Sequence, residues 1–256
     1  MKVPLQLNLA GKTAFVSGAS NGIGYSIAER LVQEGCRVAI NGRDGNALSA
    51  AAERLGHTLV QVVGDVTKPN EARRVIENAL DELGGLDVLV CNVGSGASVP
   101  PGQETFEEWQ RVFALNLWST TNLVEVAQVA LAKGKGSIVC VSSICGGEVV
   151  PGAPVTYSAA KAALDAYVRG VARPLGLLGV RINAVAPGNI LFDGSVWERK
   201  LRDDPEAVAA MLKKEVPLGA LGQPQQVADW VAWLASEKSA FATGGIYRLD
   251  GGQMRS

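Results

Sequence analysis

Tyr157 and Lys161 stand four residues apart in the run Thr156-Tyr157-Ser158-Ala159-Ala160-Lys161. The apolar positions that follow (Ala162, Ala163, Leu164, Ala166 and Val168) predict a helix, which puts the phenol and the ammonium on one face. A free phenol ionises near pH ~10, and an adjacent cation favours the phenolate. The pair could therefore pass a proton near neutral pH. The same spacing also arises by chance on exposed helices, so its meaning depends on the surroundings. A second candidate is Ser17-Gly18-Ala19-Ser20-Asn21-Gly22-Ile23-Gly24. Its glycines permit a tight turn and close backbone approach to a phosphate, and the helix that follows would offer free N–H groups and a positive dipole end. Three glycines can be plain turn chemistry, but a place after the first strand of a βα series favours a dinucleotide.

These residues need a scaffold, and short β-branched runs alternating with helical patterns supply one. Strands are predicted at Thr13–Ser17, Arg37–Asn41, Leu59–Val63, Val88–Cys91, Ser137–Ser142, Arg181–Val185 and Gly245–Leu249. Helices are predicted at about Gly22–Glu34, Asn46–Leu55, Pro69–Leu83, much of Thr105–Ala132, the Tyr157 segment and Gln225–Ala235. Continuous apolar strands alternating with helices imply an α/β fold: a single-domain doubly wound sheet of about seven parallel strands with helices on both faces. No linker or repeat divides residues 1–256. Residues 189–222, the least regular stretch, read as a substrate lid between the sixth and seventh strands.

Composition narrows the function. The chain of 256 residues has a net charge of −1, a pI near 6.0 and no basic run, which argues against a nucleic-acid partner. No stretch is long and apolar enough to span a membrane, and Met1 to Ala10 lacks a signal-peptide core. Cys36, Cys91, Cys140 and Cys145 form no CxxC pair, so no metal site is expected, and buried thiols suit a cytoplasmic protein. Cys145 lies close to the expected active site. His57 reads as a surface loop residue.

The glycine loop, Asn92-Val93-Gly94, Ser143, the Tyr157/Lys161 pair and Pro187-Gly188 together resemble the short-chain dehydrogenase/reductase family, as do Ala242-Thr243-Gly244 and Asp250-Gly251-Gly252. The similarity runs from about Leu9 to Gly252. It implies a Rossmann-type fold and a homotetramer built on the helices around Asn116 and Tyr157. It also implies a nicotinamide cofactor held by Gly18, Ser20, Asn21, Gly22, Ile23 and Gly24, by Asp65 and Val66 at the adenine, and by Asn92, Val93 and Gly94 at the adenosine ribose. Lys161 would bind the nicotinamide ribose, and Pro187, Gly188 and Ile190 would bracket the nicotinamide. Asp65 could equally cap the helix before Pro69. The resemblance makes Ser143 the group that orients the substrate oxygen, Tyr157 the proton donor or acceptor, Lys161 the cation that lowers the Tyr157 pKa, and Asn116 the holder of a relay water. Ser142 is the neighbouring alternative to Ser143, but strand alternation points it the other way. Read alone, Asn116 is a satisfied polar residue.

Several positions depart from the family pattern, Cys91 and Val93 beside Asn92 among them. The end of the second strand, where an acidic residue would bind the ribose of NAD, is Gly42 followed by Arg43. An arginine grips phosphate in a bidentate fork, so NADP(H) is expected over NAD(H). Arg43 could instead be a solvated turn residue stacked on adenine, and Asn21 replaces the basic residue many NADP-using relatives carry. The usual threonine two residues after Ile190 is Phe192, which bears on the cofactor's grip. Glu148, Asn189, Asp193, Ser195, Trp197 and Glu198 are expected to face the cleft, where polar groups and one aromatic suit a hydroxylated, sugar-like substrate. The segments around Cys91 and Gly188 are similar to members of bacterial surface-sugar pathways. The alternatives are a 3-oxoacyl-(acyl carrier protein) reductase, for which Arg199, Lys200 and Arg202 could receive the carrier, a general carbonyl reductase, or a non-catalytic cofactor-binding protein.

Overall fold

The computed structural model describes residues 6–56 and 59–255. His57 lies outside the described residues. Seven strands form one parallel sheet: β1 (Thr13–Val16), β2 (Arg37–Gly42), β3 (Val60–Val63), β4 (Val88–Cys91), β5 (Ser137–Val141), β6 (Arg181–Pro187) and β7 (Ile246–Leu249), in the order β3-β2-β1-β4-β5-β6-β7. Both faces are covered, which is why β1, β4 and β5 are buried throughout their length. Along β1, Phe15 enters one core, and Ala14 and Val16 enter the other. The Phe15 side packs α3 (Pro69–Leu83), α5 (Ser119–Gly134) and α6 (Val155–Leu177). The opposite side packs α1 (Gly22–Gln33), α2 (Gly45–Leu55) and α9 (Pro224–Ala235).

The strand order reverses beside β1, because the chain leaves it toward β2 on one side and later returns to β4 on the other. A crevice at the carboxyl ends of β1 and β4 follows from that reversal. Both the glycine loop and Asn92-Val93-Gly94 open into it. Buried Asn41 secures the neighbouring end of β2 by donating from Nδ2 to the carbonyls of Val62 (2.9 Å) and Gly64 (3.1 Å).

Most predicted elements agree with the observed ones to within a residue or two. The long helix expected over Thr105–Ala132 does not. It is α4 (Phe106–Phe113), a π turn (Ala114–Trp118) and then α5. The side chain of Asn116 bonds back to the Val112 carbonyl (3.0 Å) and the Ser119 hydroxyl to the Leu115 carbonyl (2.7 Å), and such insertions widen a helical turn. Residues 189–222 contain two helices, α7 (Val196–Asp203) and α8 (Pro205–Glu215), begun by Ser195 and Asp204 as side-chain N-caps.

Candidate active site

Around the crevice, the glycine loop is shaped by contacts that exclude side chains. A Cβ on Gly24 would lie 2.2 Å from the Gly18 carbonyl and 2.4 Å from Asn92 Nδ2. That Asn92 amide donates to the carbonyls of Ser17 (3.1 Å) and Gly18 (3.0 Å), and Ser17 Oγ accepts from the Asn92 N–H (2.9 Å). Asn92 therefore braces the loop with its side chain. The α1 N-terminus has no side-chain cap from Asn21, so its first N–H groups remain for an anion. These features fit a dinucleotide phosphate. Gly22, at φ +56°, leaves an open face that the Phe192 ring meets: a Cβ there would be 2.6 Å from Phe192 Cε2. Phe192 thus presents an apolar ring to the loop where the resemblance leads one to expect a hydroxyl.

At the adenosine end, a Cβ on Gly42 would lie 2.4 Å from Ser20 Oγ, so an acidic side chain could stand there only if Ser20 moved. The nearest carboxylate along the chain, Asp44, caps α2 by accepting from Asn46 N (2.9 Å) and Ala47 N (3.2 Å). Arg43 is exposed. Asp65 forms a local turn, accepting from the Thr67 hydroxyl (2.7 Å) and Thr67 N–H (3.1 Å), and is not the N-cap of α3, a place held by Lys68. Val66 and Ile190 are core side chains, and Val93 packs against the same core as Val66. Any cofactor contact from Val66 would run through its main chain. Pro187 closes β6. A Cβ on Gly188 would approach the Asp250 Cα to 3.0 Å, so this turn lies tight against the chain after β7.

Ser143, Tyr157, Lys161 and Asn116 converge on one spot. Ser143 caps the short 3-10 turn after β5 (Ile144–Gly146), its hydroxyl accepting from the Cys145 N–H (3.2 Å) and favouring ionisation of the neighbouring Tyr157 phenol. Ser142 points away and donates to Asp165 at 2.5 Å. Gly94 admits the others: a Cβ there would be 2.9 Å from Asn116 Oδ1 and 3.2 Å from Lys161 Nζ. Asn116 holds both backbone groups of Ser95, accepting from its N–H (3.0 Å) and donating to its carbonyl (3.1 Å). Its amide is thus occupied in pinning the loop after β4.

The electrostatics differ from the sequence expectation. Burial pushes the Tyr157 phenol up to about 12, opposed by the Ser143 hydrogen bond and reinforced by Cys145. Lys161 does not bring it down among the protein's own groups. The ammonium is itself buried and donates to the Val141 carbonyl at 2.8 Å, with Nζ 5.9 Å from the phenol ring centre. Burial holds Lys161 down to about 8, while Asp165, Cys140 and Cys145 favour its charged form.

Several expected cleft residues have other tasks. Ser195 is a buried cap that accepts from Glu198 N (3.0 Å). Glu198 accepts from Gly194 N (2.6 Å), and Glu148 from the Arg255 N–H (3.2 Å). Trp197 carries Lys200 Nζ 4.5 Å over its ring. The sequence reading missed Asp165, and its helical spacing from Lys161 was the signal available.

A family model described as enoyl-(acyl carrier protein) reductase matches residues 18–254. The chain is 35% identical to a glucose 1-dehydrogenase of Gluconobacter oxydans over 98% of its own length and 95% of that protein's. It is 34% identical to the 3-oxoacyl-(acyl-carrier-protein) reductase of Escherichia coli, over 96% of this chain and 98% of that one. The solved L-sorbose reductase of Gluconobacter frateurii, complexed with NADPH and L-sorbose, superposes with a TM-score of 0.92 at 26% identity, covering 98% of this chain and 100% of the other. The chain belongs to the short-chain dehydrogenase/reductase family and is a nicotinamide-dependent oxidoreductase acting on CH–OH groups.

In the cofactor-free protein, the absorbance difference between wild type and Tyr157→Phe should show Tyr157 protonated well past the ordinary phenol range, with a midpoint near 12. A midpoint at or below 10 would mean that Lys161 activates the phenol without help from a cofactor.

Proposed function

We propose that this enzyme interconverts a carbonyl and a secondary alcohol on a polar, sugar-like substrate, with NADP(H) preferred. The observation that carries the reading is the convergence of the Ser143 hydroxyl and the half-buried Tyr157 phenol, with the Lys161 ammonium behind them and the glycine loop across the same crevice. When bound, the nicotinamide supplies or accepts the hydride and, in its oxidised form, brings a positive charge. The chain's own groups manage the substrate oxygen. Ser143 and Tyr157 donate hydrogen bonds to it as alkoxide charge develops, and Tyr157 delivers the proton. A phenol near 12 is a poor base at neutral pH but a competent donor to an alkoxide, so reduction suits these groups as they stand. Lys161 binds the ribose hydroxyls, and Asn116, its amide engaged with Ser95 and Val112, holds a relay water through its main chain. Gly18, Ser20, Asn21, Gly22, Ile23 and Gly24 cradle the phosphates, while Asp65, Val66, Asn92, Val93 and Gly94 line the adenosine. Pro187, Gly188 and Ile190 bound the nicotinamide.

The NADP(H) preference rests on Gly42, which carries no ribose-binding acid, and on exposed Arg43 beside it. The sugar reading is supported by the named activities of the glucose and L-sorbose relatives. The competing reading, a 3-oxoacyl reductase, is favoured by the Escherichia coli relative and by Arg199, Lys200 and Arg202 on α7. Residues 1–256 form one nucleotide-binding unit in this proposal, with 189–222 closing over substrate. Four free thiols, Cys91 and Cys140 fully buried, suit the cytoplasm. Exposed Phe106, Trp118 and Val129 along α4, the π turn and α5, with Val155 on α6, support a homotetramer that covers them. A monomeric mass by light scattering would overturn the tetramer.

Fluorescence titration with NADPH and NADH, followed by turnover of L-sorbose, D-glucose and a 3-oxoacyl thioester, tests the reading. Arg43→Ala should weaken NADPH by ~10- to 100-fold, the range of a charged hydrogen bond, and leave NADH nearly unchanged. Equal losses would remove the phosphate assignment. Tyr157→Phe should lower turnover by ~100-fold or more while cofactor affinity holds, and wild-type turnover would refute the proton role.

A further inference from the structure

A buried carboxylate beside the reacting groups has no task in the mechanism above. Asp165 lies on α6 four residues after Lys161 and eight after Tyr157, so one helical face carries phenol, ammonium and carboxylate in line. Its exposure is 2%, and that of Lys161 is 3%. The turn after β5 closes over both: a Cβ on Gly146 would lie 2.8 Å from the Lys161 carbonyl oxygen and 2.9 Å from Asp165 Oδ2. Ser142 donates to Asp165 Oδ1 at 2.5 Å, in the range of a hydroxyl bound to an ionised carboxylate.

We propose that Asp165 is a positioning residue, a buried counter-charge that keeps Lys161 in its ammonium form. An isolated buried ammonium tends to shed its proton, and a buried carboxylate tends to gain one. Held one helical turn apart, each makes the other's charge affordable. The groups that act on them come from three elements. On α6 these are Arg169, which favours the carboxylate, and Tyr157, whose ring centre lies 5.9 Å from Lys161 Nζ; on β5 and just past its end, Cys140, the Val141 carbonyl and Ser142; in the turn, Cys145, whose thiol burial keeps protonated. Asp165 is the carboxylate among those that favour the Lys161 charge. Strand alternation then has a purpose on both sides: Ser143 faces the phenol, and Ser142 faces the counter-charge.

The sign follows directly. With a carboxylate present the ammonium is favoured and its midpoint lies higher. With a neutral amide in its place the midpoint falls and the charge is lost at lower pH. The test reads Lys161 itself, by carbon-13 NMR of protein labelled at the lysine ε carbon, the resonance being assigned by its loss in Lys161→Arg. Wild type should titrate near 8. Asp165→Asn, nearly isosteric, should lower that midpoint by ~1 pH unit or more, a tenfold change in the proton equilibrium. A folded Asp165→Asn protein with an unmoved midpoint overturns the proposal and leaves Asp165 a structural residue. If that variant does not fold, Asp165→Ala serves instead: the carboxylate is again gone, so the Lys161 midpoint should again fall, and an unmoved midpoint is again fatal. The consequence for binding rests on Lys161 as the ribose ligand. NADPH affinity against pH should lose strength at a lower pH in Asp165→Asn than in wild type, following the NMR midpoint. Affinity that ignores Lys161 titration in wild type would refute the ribose role alone, since the NMR arm does not depend on it.

Discussion

The site is organised around a charge that has left water. Lys161 is a buried ammonium, and burying a lone charge is among the costlier things a fold can do. Its surroundings are arranged to offset that cost. The end of β5 turns a backbone carbonyl toward it, Gly94 lets the loop after β4 lie against it, Gly146 lets the following turn close over its helix, and Asp165 supplies opposite charge. Each contact also places a working group. The β5 end that offers the Val141 carbonyl carries Ser143 two residues on, and the loop admitted by Gly94 is pinned by Asn116. The tolerance for a buried cation and the geometry of the catalytic cluster thus have one structural origin.

The same economy appears across the crevice. Asn92 bonds two carbonyls of the glycine loop, and Ser17 returns a bond to its N–H, so the ends of β1 and β4 are locked where the sheet order reverses. A cofactor entering there meets a preorganised loop, and little binding energy is lost to ordering it. Phe192 is the exception. Its ring lies on the open face of Gly22, and it packs with the core beside Ile23 and Ile190. Where the resemblance leads one to expect a hydroxyl, this chain presents a hydrophobic surface to the loop.

Much of this was legible from the residues alone. Continuous apolar strands and intervening helical periods specified a two-faced parallel sheet, because period and apolar content follow from backbone geometry that every chain shares. Glycine spacing in the loop pointed to a tight turn, and a side chain at Gly24 would meet the Gly18 carbonyl. The outward turn of Ser142 followed from pleat alternation, a strictly local rule. Where local rules ran out, the reading failed. The helix through Asn116 looked continuous because its sequence is helical. The π turn goes with Asn116 side-chain bonds to Val112 and to Ser95, 21 residues earlier. Ser195, Glu148 and Glu198 were assigned to the cleft by polarity, and the fold uses them for capping and backbone bonds.

The sequence by itself determined the fold class and the roster of groups that meet at the crevice. These depend on residue type and short-range spacing. Only the tertiary structure decided the electrical state of those groups. Tyr157 and Lys161 share a helical face in sequence, which suggested a lowered phenol. In the folded chain Lys161 is buried and Tyr157 half-buried, and loss of water pushes the phenol up to about 12 and the ammonium down to about 8. A pKa is set by the dielectric and the charges around a group, and those come from β5, its following turn and α6 together. Asp165 became visible for the same reason: its spacing was readable from the start, but its burial, and hence its influence on Lys161, exists only once the sheet and helix close around it.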